Sequence, residues 1–353
     1  MCSRMLYLEP HTLMTYHYSY VVDVDQRIRQ LDMRAAELRA KAWSPSTWRT
    51  KSSQWKKYIK FSDSIQSPAL PTSTKHMCRY LVDMSKSLRY TTIQNYVSGV
   101  LSLNAYFGYD AKFIRSDITF IMTLSGIRRV LGDPEPVRPS FTLADILRMF
   151  EYVDMKDLQD RVLWTCLALS FRGLLRKCNI VQDSLLVKEG HFLRRGAVTF
   201  RSWGMELAIS SSKTIQYGQR VHKVPITFAP GSPLCAASLL FAHMSEFPNS
   251  DPLAPVFVLP RNTELVPVTY ALLMRFLKRL MKSAGLPSER AGMHSWRRAG
   301  ALYMYQMGLS IEDIRQAGDW ASMAALLYLT KPFSSRVDTD NIVFNCLSKD
   351  FSL

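Results

Sequence analysis

Residues 292-GMHSWRRAGALYMYQMGLSIEDIRQAGDWASMAALLYLTKP-332 set His294, Arg297, Trp320 and Tyr328 along one segment whose apolar spacing predicts helices. His294 and Arg297 stand three apart, so on a helix they share a face and can reach one phosphate together. Trp320 adds an indole N–H, a donor that does not titrate. Tyr328 adds a hydroxyl that can become a covalent nucleophile. These side chains suit attack on a phosphodiester, and none of them asks for a metal ion or an organic cofactor.

Upstream of this segment the pattern is helical from Val268. Before that the period changes to two. Ala197–Trp203 and Met205–Ser211 alternate around Gly204, and Val221–Ile226 is a third short run, which together predict a small antiparallel sheet. Further back, 161-RVLWTCLALSFRGLLRKCNIV-181 reads as one long apolar helix, and 143-LADILRMFEYV-153 as a shorter one capped by Ser140 or Thr142. Pro134, Pro136 and Pro139 interrupt helix formation in 131-LGDPEPVRPS-140, the best linker in the chain.

The remaining N-terminal part reads as all-helical. Ile28, Leu31, Ala35 and Leu38 recur at helical spacing within Val24–Ala42, and Ser46 can cap a helix over Thr47–Ser62. Helices are also expected from Pro71–Thr74 through Met84, from Tyr90 through Leu103, and from a Ser116–Asp117 cap to Arg128–Arg129. The fold class is therefore mainly α with a small antiparallel sheet. The expected organisation is a helical domain over residues 1–133, a linker at 134–140, and a mixed domain over 141–353 that ends in a short tail helix. No internal repeat or low-complexity tract is present.

The chain of 353 residues exceeds what one core usually holds, and its formal charge is +16. Residues 1–138 hold twenty Lys and Arg against eleven Asp and Glu, so the positive charge is spread through both parts. A surface this basic favours a polyanionic partner, because it gains affinity by displacing counterions from nucleic acid. The helix expected over Thr47–Ser62 carries Trp48, Trp55, Tyr58 and Phe61 on one side and Arg49, Lys51, Lys56, Lys57 and Lys60 around the rest. Two readings are open: a solvated basic face over a core stripe, or a helix gripping DNA phosphates beside a major groove.

Six scattered cysteines, with no CxxC pair and no zinc-finger spacing, look like reduced thiols of an intracellular protein. Glu9, Pro10 and His11 break the N-terminal apolar run, which argues against a signal peptide. The longest mostly apolar run, Val162–Phe171, is about half of the ~20 residues a membrane span needs. A soluble protein of a nucleus or a bacterial-type cytoplasm is expected.

Taken in order, these residues resemble the tyrosine recombinases, or phage-type integrases, the Cre-like family. Arg176 in 174-LLRKCNI-180 matches the family's first arginine, and Lys213 in 211-SSKTIQYGQRVHKVPI-226 its hairpin lysine. His294 and Arg297 match the His-x-x-Arg pair, Trp320 in 317-AGDW-320 the His/Trp position, and Tyr328 the nucleophile. The resemblance implies a helical core-binding domain, a catalytic domain, and strand cleavage through a 3′-phosphotyrosine intermediate without metal or ATP. It also implies double-stranded DNA as partner, a tetramer on two DNA sites, and a C-terminal tail that docks on a neighbouring subunit. In this scheme Arg176 and Arg297 stabilise the charge developing on the phosphate, Lys213 is the general acid for the departing 5′ oxygen, and His294 assists proton transfer or holds a phosphate oxygen.

The chain departs from the phage and bacterial members at three places. Asn179 stands where an acidic residue is frequent, which would give the active-site arginines an amide partner. Asp319 replaces a glycine, and Tyr328 follows Trp320 one residue sooner, a difference of about 100° on unbroken helix that a loop can absorb. Leu175–Arg176–Lys177 and Gly318–Asp319–Trp320 resemble the eukaryotic mobile-element branch, Crypton-type elements among them. Three functions fit: a site-specific recombinase or integrase, a type IB topoisomerase-like nicking and closing enzyme, or a DNA-binding protein that has kept the fold and lost turnover.

Overall fold

The computed structural model of the chain describes residues 26–132, 141–183, 185, 192–212, 214–287 and 292–320. The expected linker at 134–140, the tail, Lys213 and Tyr328 lie outside the described residues. The chain divides into two compact units, Met1–Pro136 and Val137–Leu353.

The first unit contains helices α1 (Gln26–Ala40), α2 (Pro45–Ser64), α3 (Thr74–Ser85), α4 (Tyr90–Tyr106), α5 (Lys112–Ser116) and α6 (Ile118–Leu131). Helix α2 starts two residues before the expected position. Ser44 rather than Ser46 is the cap, its hydroxyl accepting from the Thr47 amide, because Pro45 has no amide to orphan and suits the first helical position. Asp117 caps α6 as expected, accepting from Thr119 and Phe120. Tyr58, Met77, Tyr80, Leu81, Ile93, Val100 and Ile114 form the dry centre of this unit. The Thr72 hydroxyl there accepts from both Tyr58 and Asn104, so these three buried polar side chains satisfy one another. On α1 the apolar face read from the sequence is exposed, with Leu31 61% and Leu38 54% accessible.

The second unit opens with α7 (Leu143–Phe150), which Thr142 closes in a capping box with Asp145. Helix α8 (Leu158–Arg172) is buried on all sides, from Val162 to Phe171. It ends nine residues earlier than its periodicity predicts. Gly173 caps it, Leu174 takes a left-handed φ of 48°, and a 3₁₀ turn covers Lys177–Asn179. The apolar run continues past the helix because Leu174, Leu175, Ile180 and Val181 remain in the core. Arg176 thereby sits on an extended residue after the helix, not on the helix itself.

Three strands follow, β1 (Val198–Arg201), β2 (Gly204–Ile209) and β3 (His222–Thr227), paired antiparallel in the order β1-β2-β3. Helix α9 (Ala236–Glu246) and a second hairpin, β4 (Val258–Arg261) with β5 (Glu264–Pro267), had no counterpart in the sequence reading. Pro260 and Pro267 blur the strand pattern, and the remaining signal is Asn262, whose φ of 55° turns the hairpin. Helices α10 (Tyr270–Ser283), α11 (Met293–Gln306) and α12 (Ile311–Ala317) complete the described unit. Gly300 lets α11 lie directly on the end of α8, since a Cβ there would strike the Phe171 carbonyl. Among the described residues no helix is long and apolar enough to cross a membrane, and no cluster of His, Cys, Asp or Glu could hold a metal ion.

Candidate active site

Where α8 has ended and α12 is about to end, two chain segments face each other. Residues 173–179 approach 317–320, and a narrow cleft between them is lined by Arg176, Asn179, Ser212, His222, Arg297 and Asp319, among others. Arg297 projects from α11 and is 3% exposed. Its guanidinium donates to the Leu174 carbonyl at 2.5 Å and to the Gly318 carbonyl, and lies over the Trp320 ring with 4.1 Å to the centroid. Both carbonyls are available for a local reason. The left-handed turn at Leu174 and the end of α12 at Gly318 each leave a backbone oxygen without a helical partner.

Arg176 reaches the adjacent carbonyl, that of Asp319, at 3.5 Å. Two guanidiniums from segments far apart in sequence thus meet neighbouring peptide units. Trp320 is 8% exposed and packs with Leu174, Ala301 and Ile314. Its ring lies against Gly318 so closely that a Cβ at 318 would fall within it, which makes glycine a steric requirement at that position. His294 lies in the first turn of α11 and is exposed, whereas Arg297 one turn on is buried.

Asp319 is not a stray charge. Its backbone is left-handed, with φ 51°, and its carboxylate accepts from the Thr214 hydroxyl and pairs with Arg220. Burial by itself would raise this carboxyl. The hydrogen bonds from Thr214 and Arg220 and the nearby positive charge outweigh it and hold the group below the usual carboxylate range. Asn179 is 2% exposed, and its amide donates to the Ser211 carbonyl at 3.0 Å. His222 Nε2 donates to the Ala317 carbonyl at 3.2 Å. Thr214, Arg220 and His222 were not singled out in the sequence; their partners lie 95 to 105 residues away and leave no local signature.

The basic helix α2 belongs to the other unit. Arg49, Lys56 and Lys60 are exposed and fall on one stripe, at intervals of seven and four residues. Lys51 and Lys57 are half-buried, each over an aromatic ring, Trp43 at 4.5 Å and Tyr96 at 5.1 Å. Trp55, Tyr58 and Phe61 on the opposite side pack into the core. The helix therefore combines a core stripe with a charged face.

No family model matches the chain, and no curated protein matches it in sequence. Solved structures do. The Tn1549 transposon integrase, in complex with transposon right-end DNA, superposes with a TM-score of 0.61 over 88% of this chain and 98% of its own, at 14% identity. The XerH site-specific recombinase, in a post-cleavage complex with its palindromic difH substrate, gives 0.58 over 85% and 79%, at 17% identity. A lambda integrase dimer bound to a core site gives 0.56 over 85% and 94%, at 14% identity. At such identities the likeness is one of architecture, and the architecture is specific: this chain has the tyrosine-recombinase fold.

Proposed function

We propose that the protein is a site-specific DNA recombinase or integrase that cuts and rejoins DNA through a 3′-phosphotyrosine intermediate, as a tetramer on two sites. The observation that carries this reading is the convergence of Arg176 and Arg297 on the adjacent carbonyls of Gly318 and Asp319 beside Trp320. Two guanidiniums drawn together repel one another, and the ligand that relieves this is an anion; a phosphodiester approaching in-line attack offers increasing charge at that place. A guanidinium has five donors, so carbonyl contacts and phosphate oxygens can be served together. The solved structures of like fold are DNA complexes, which supports duplex DNA as the substrate.

In the proposed reaction the Tyr328 oxygen attacks phosphorus as its proton leaves, His294 assisting. The bond from phosphorus to the 5′ oxygen breaks, and that oxygen takes a proton from Lys213. The phosphotyrosine retains the bond energy, so a second 5′ hydroxyl can reverse the step without ATP. The exposed stripe Arg49, Lys56 and Lys60, with Lys51 and Lys57 flanking it, would hold the backbone of the duplex. A mobile-element origin suits this chemistry.

The paired state of Asp319 favours turnover over a DNA-binding relic, because Arg220 balances the negative charge beside the arginines. A plasmid library carrying random inserts tests the proposal. Recombinant joints between plasmids are expected; relaxed plasmid alone would indicate a nicking and closing enzyme, and bound but unaltered plasmid a protein without turnover.

A further inference from the structure

Two of the three departures from the familiar pattern, Asn179 and Asp319, grip the same hairpin. Asn179, from the segment of Arg176, holds the Ser211 carbonyl at its base. Asp319, from the segment of Trp320, holds Thr214 and Arg220 on either side of its loop, and His222 donates to Ala317 at the start of β3. Ser212 closes the intervening turn, with its hydroxyl 2.9 Å from that of Thr214 and its backbone bridged to Ile215. Ser212 and Thr214, which flank position 213 in the sequence, are both held by these contacts.

We propose that Asp319 is a positioning residue that clamps the β2–β3 hairpin to the Trp320 turn, so that the hairpin lysine is delivered to the phosphate held by Arg176 and Arg297. This rests on the function proposed above. Three observations point the same way. The Asp319 side chain is 12% exposed and so is committed to its partners rather than to water. Its left-handed backbone directs the carbonyl to Arg176 and the carboxylate to the hairpin, so one residue contacts both halves of the site. Asp is among the few residues that tolerate that conformation, whereas the branched alternatives do not. A clamp of this kind acts on the leaving-group proton and not on the attacking oxygen: phosphorus gains the tyrosine oxygen and loses the 5′ oxygen, which the lysine protonates.

A leaving group that needs no proton separates this role from a merely structural one. Cleavage is measured with ordinary DNA and with DNA whose bridging 5′ oxygen is replaced by sulfur, which departs as a thiolate. Asp319→Ala and the near-isosteric Thr214→Val are each expected to slow cleavage of ordinary DNA, Asp319→Ala by about 100-fold as for a misplaced catalytic group, and to cleave the sulfur-bridged DNA at the wild-type rate. Lys213→Ala shows the same pattern and calibrates it. Equal losses on both substrates, or no loss on either, would overturn the clamp.

Amide hydrogen exchange supplies a readout that does not depend on turnover. Residues 211–220 are expected to exchange faster in both the Asp319 and Thr214 variants, with residues 162–171 of α8 unchanged. If the wild type cleaves neither DNA while exchange responds in this way, the function proposed above fails and the contact survives. If the wild type cleaves and exchange of the hairpin is unaltered by both variants, the clamp fails alone.

Discussion

Replacing Arg297 with alanine separates two meanings that one side chain has in this structure. The guanidinium is buried, donates to the carbonyls of Leu174 and Gly318, and covers the Trp320 ring at 4.1 Å. Two charge-assisted hydrogen bonds at ~1.5–3 kcal/mol each and a desolvated cation–π contact near ~2 kcal/mol give a gross loss of about 5–8 kcal/mol. The variant no longer has to bury a charge, which returns several kcal/mol, so a net destabilisation of about 3 kcal/mol is expected. For a unit of this size, that is a fall in Tm of roughly 6–12 °C. Arg297→Lys keeps the charge but cannot fork to two carbonyls while lying flat on an indole, and is expected to recover only part of the loss. Thermal unfolding followed by circular dichroism reads all three proteins. An Arg297→Ala variant that melts with the wild type would mean that these carbonyl contacts contribute nothing to the fold.

Other consequences are as concrete. Gly300→Ala places a methyl group against the Phe171 carbonyl and the Leu174 side chain, where α11 meets α8; a loss of about 1–3 kcal/mol is expected in chemical denaturation. His243 donates from Nε2 to Val256 while Nδ1 has no partner, and burial, against the opposing pull of the Val256 carbonyl, lowers its pKa to about 4. The folded state then resists a proton that the unfolded chain accepts from about pH 6.5, so stability falls as pH drops from there and levels off below about pH 4. His243→Gln is expected to flatten that part of the Tm–pH curve, and an unchanged curve would remove His243 as its cause. Changing Arg49, Lys56 and Lys60 together to Gln should weaken binding to unrelated duplexes alike and reduce the salt slope of log K by about 3, near ~0.9 per phosphate contact; an unaltered slope would take this stripe off the DNA.

Much of the architecture was legible in the sequence because it is locally encoded. Asp117 and Thr142 announce helix starts, alternation around Gly204 announces β2, and the order Arg176, His294, Arg297, Trp320 announces the fold. What failed did so where tertiary packing overrides a local period. The run to Val181 stays apolar because it remains in the core, yet the helix stops at Gly173 and Leu174 turns left-handed, and that turn is what carries Arg176 into the cleft. The second hairpin was hidden by its prolines. Asp319 read only as a replacement for a glycine, since Arg220 and Thr214, its partners, lie about a hundred residues upstream and pairing at that range has no sequence period. The opposite fates of His294 and Arg297, one exposed and one buried three positions apart, follow from how α11 sits against α8 and not from their spacing.

The proposed reaction stands or falls on a covalent bond between Tyr328 and DNA. Wild-type protein and its Tyr328→Phe variant would be mixed with a pool of nicked duplexes, in which the strand end released by cleavage diffuses away, and resolved on a denaturing gel. A protein–DNA adduct in the wild type that is absent in the variant is the predicted result, and sequencing the trapped DNA would give the target site. DNA binding by both proteins with no adduct in either, or an adduct that persists in the variant, would contradict the assignment.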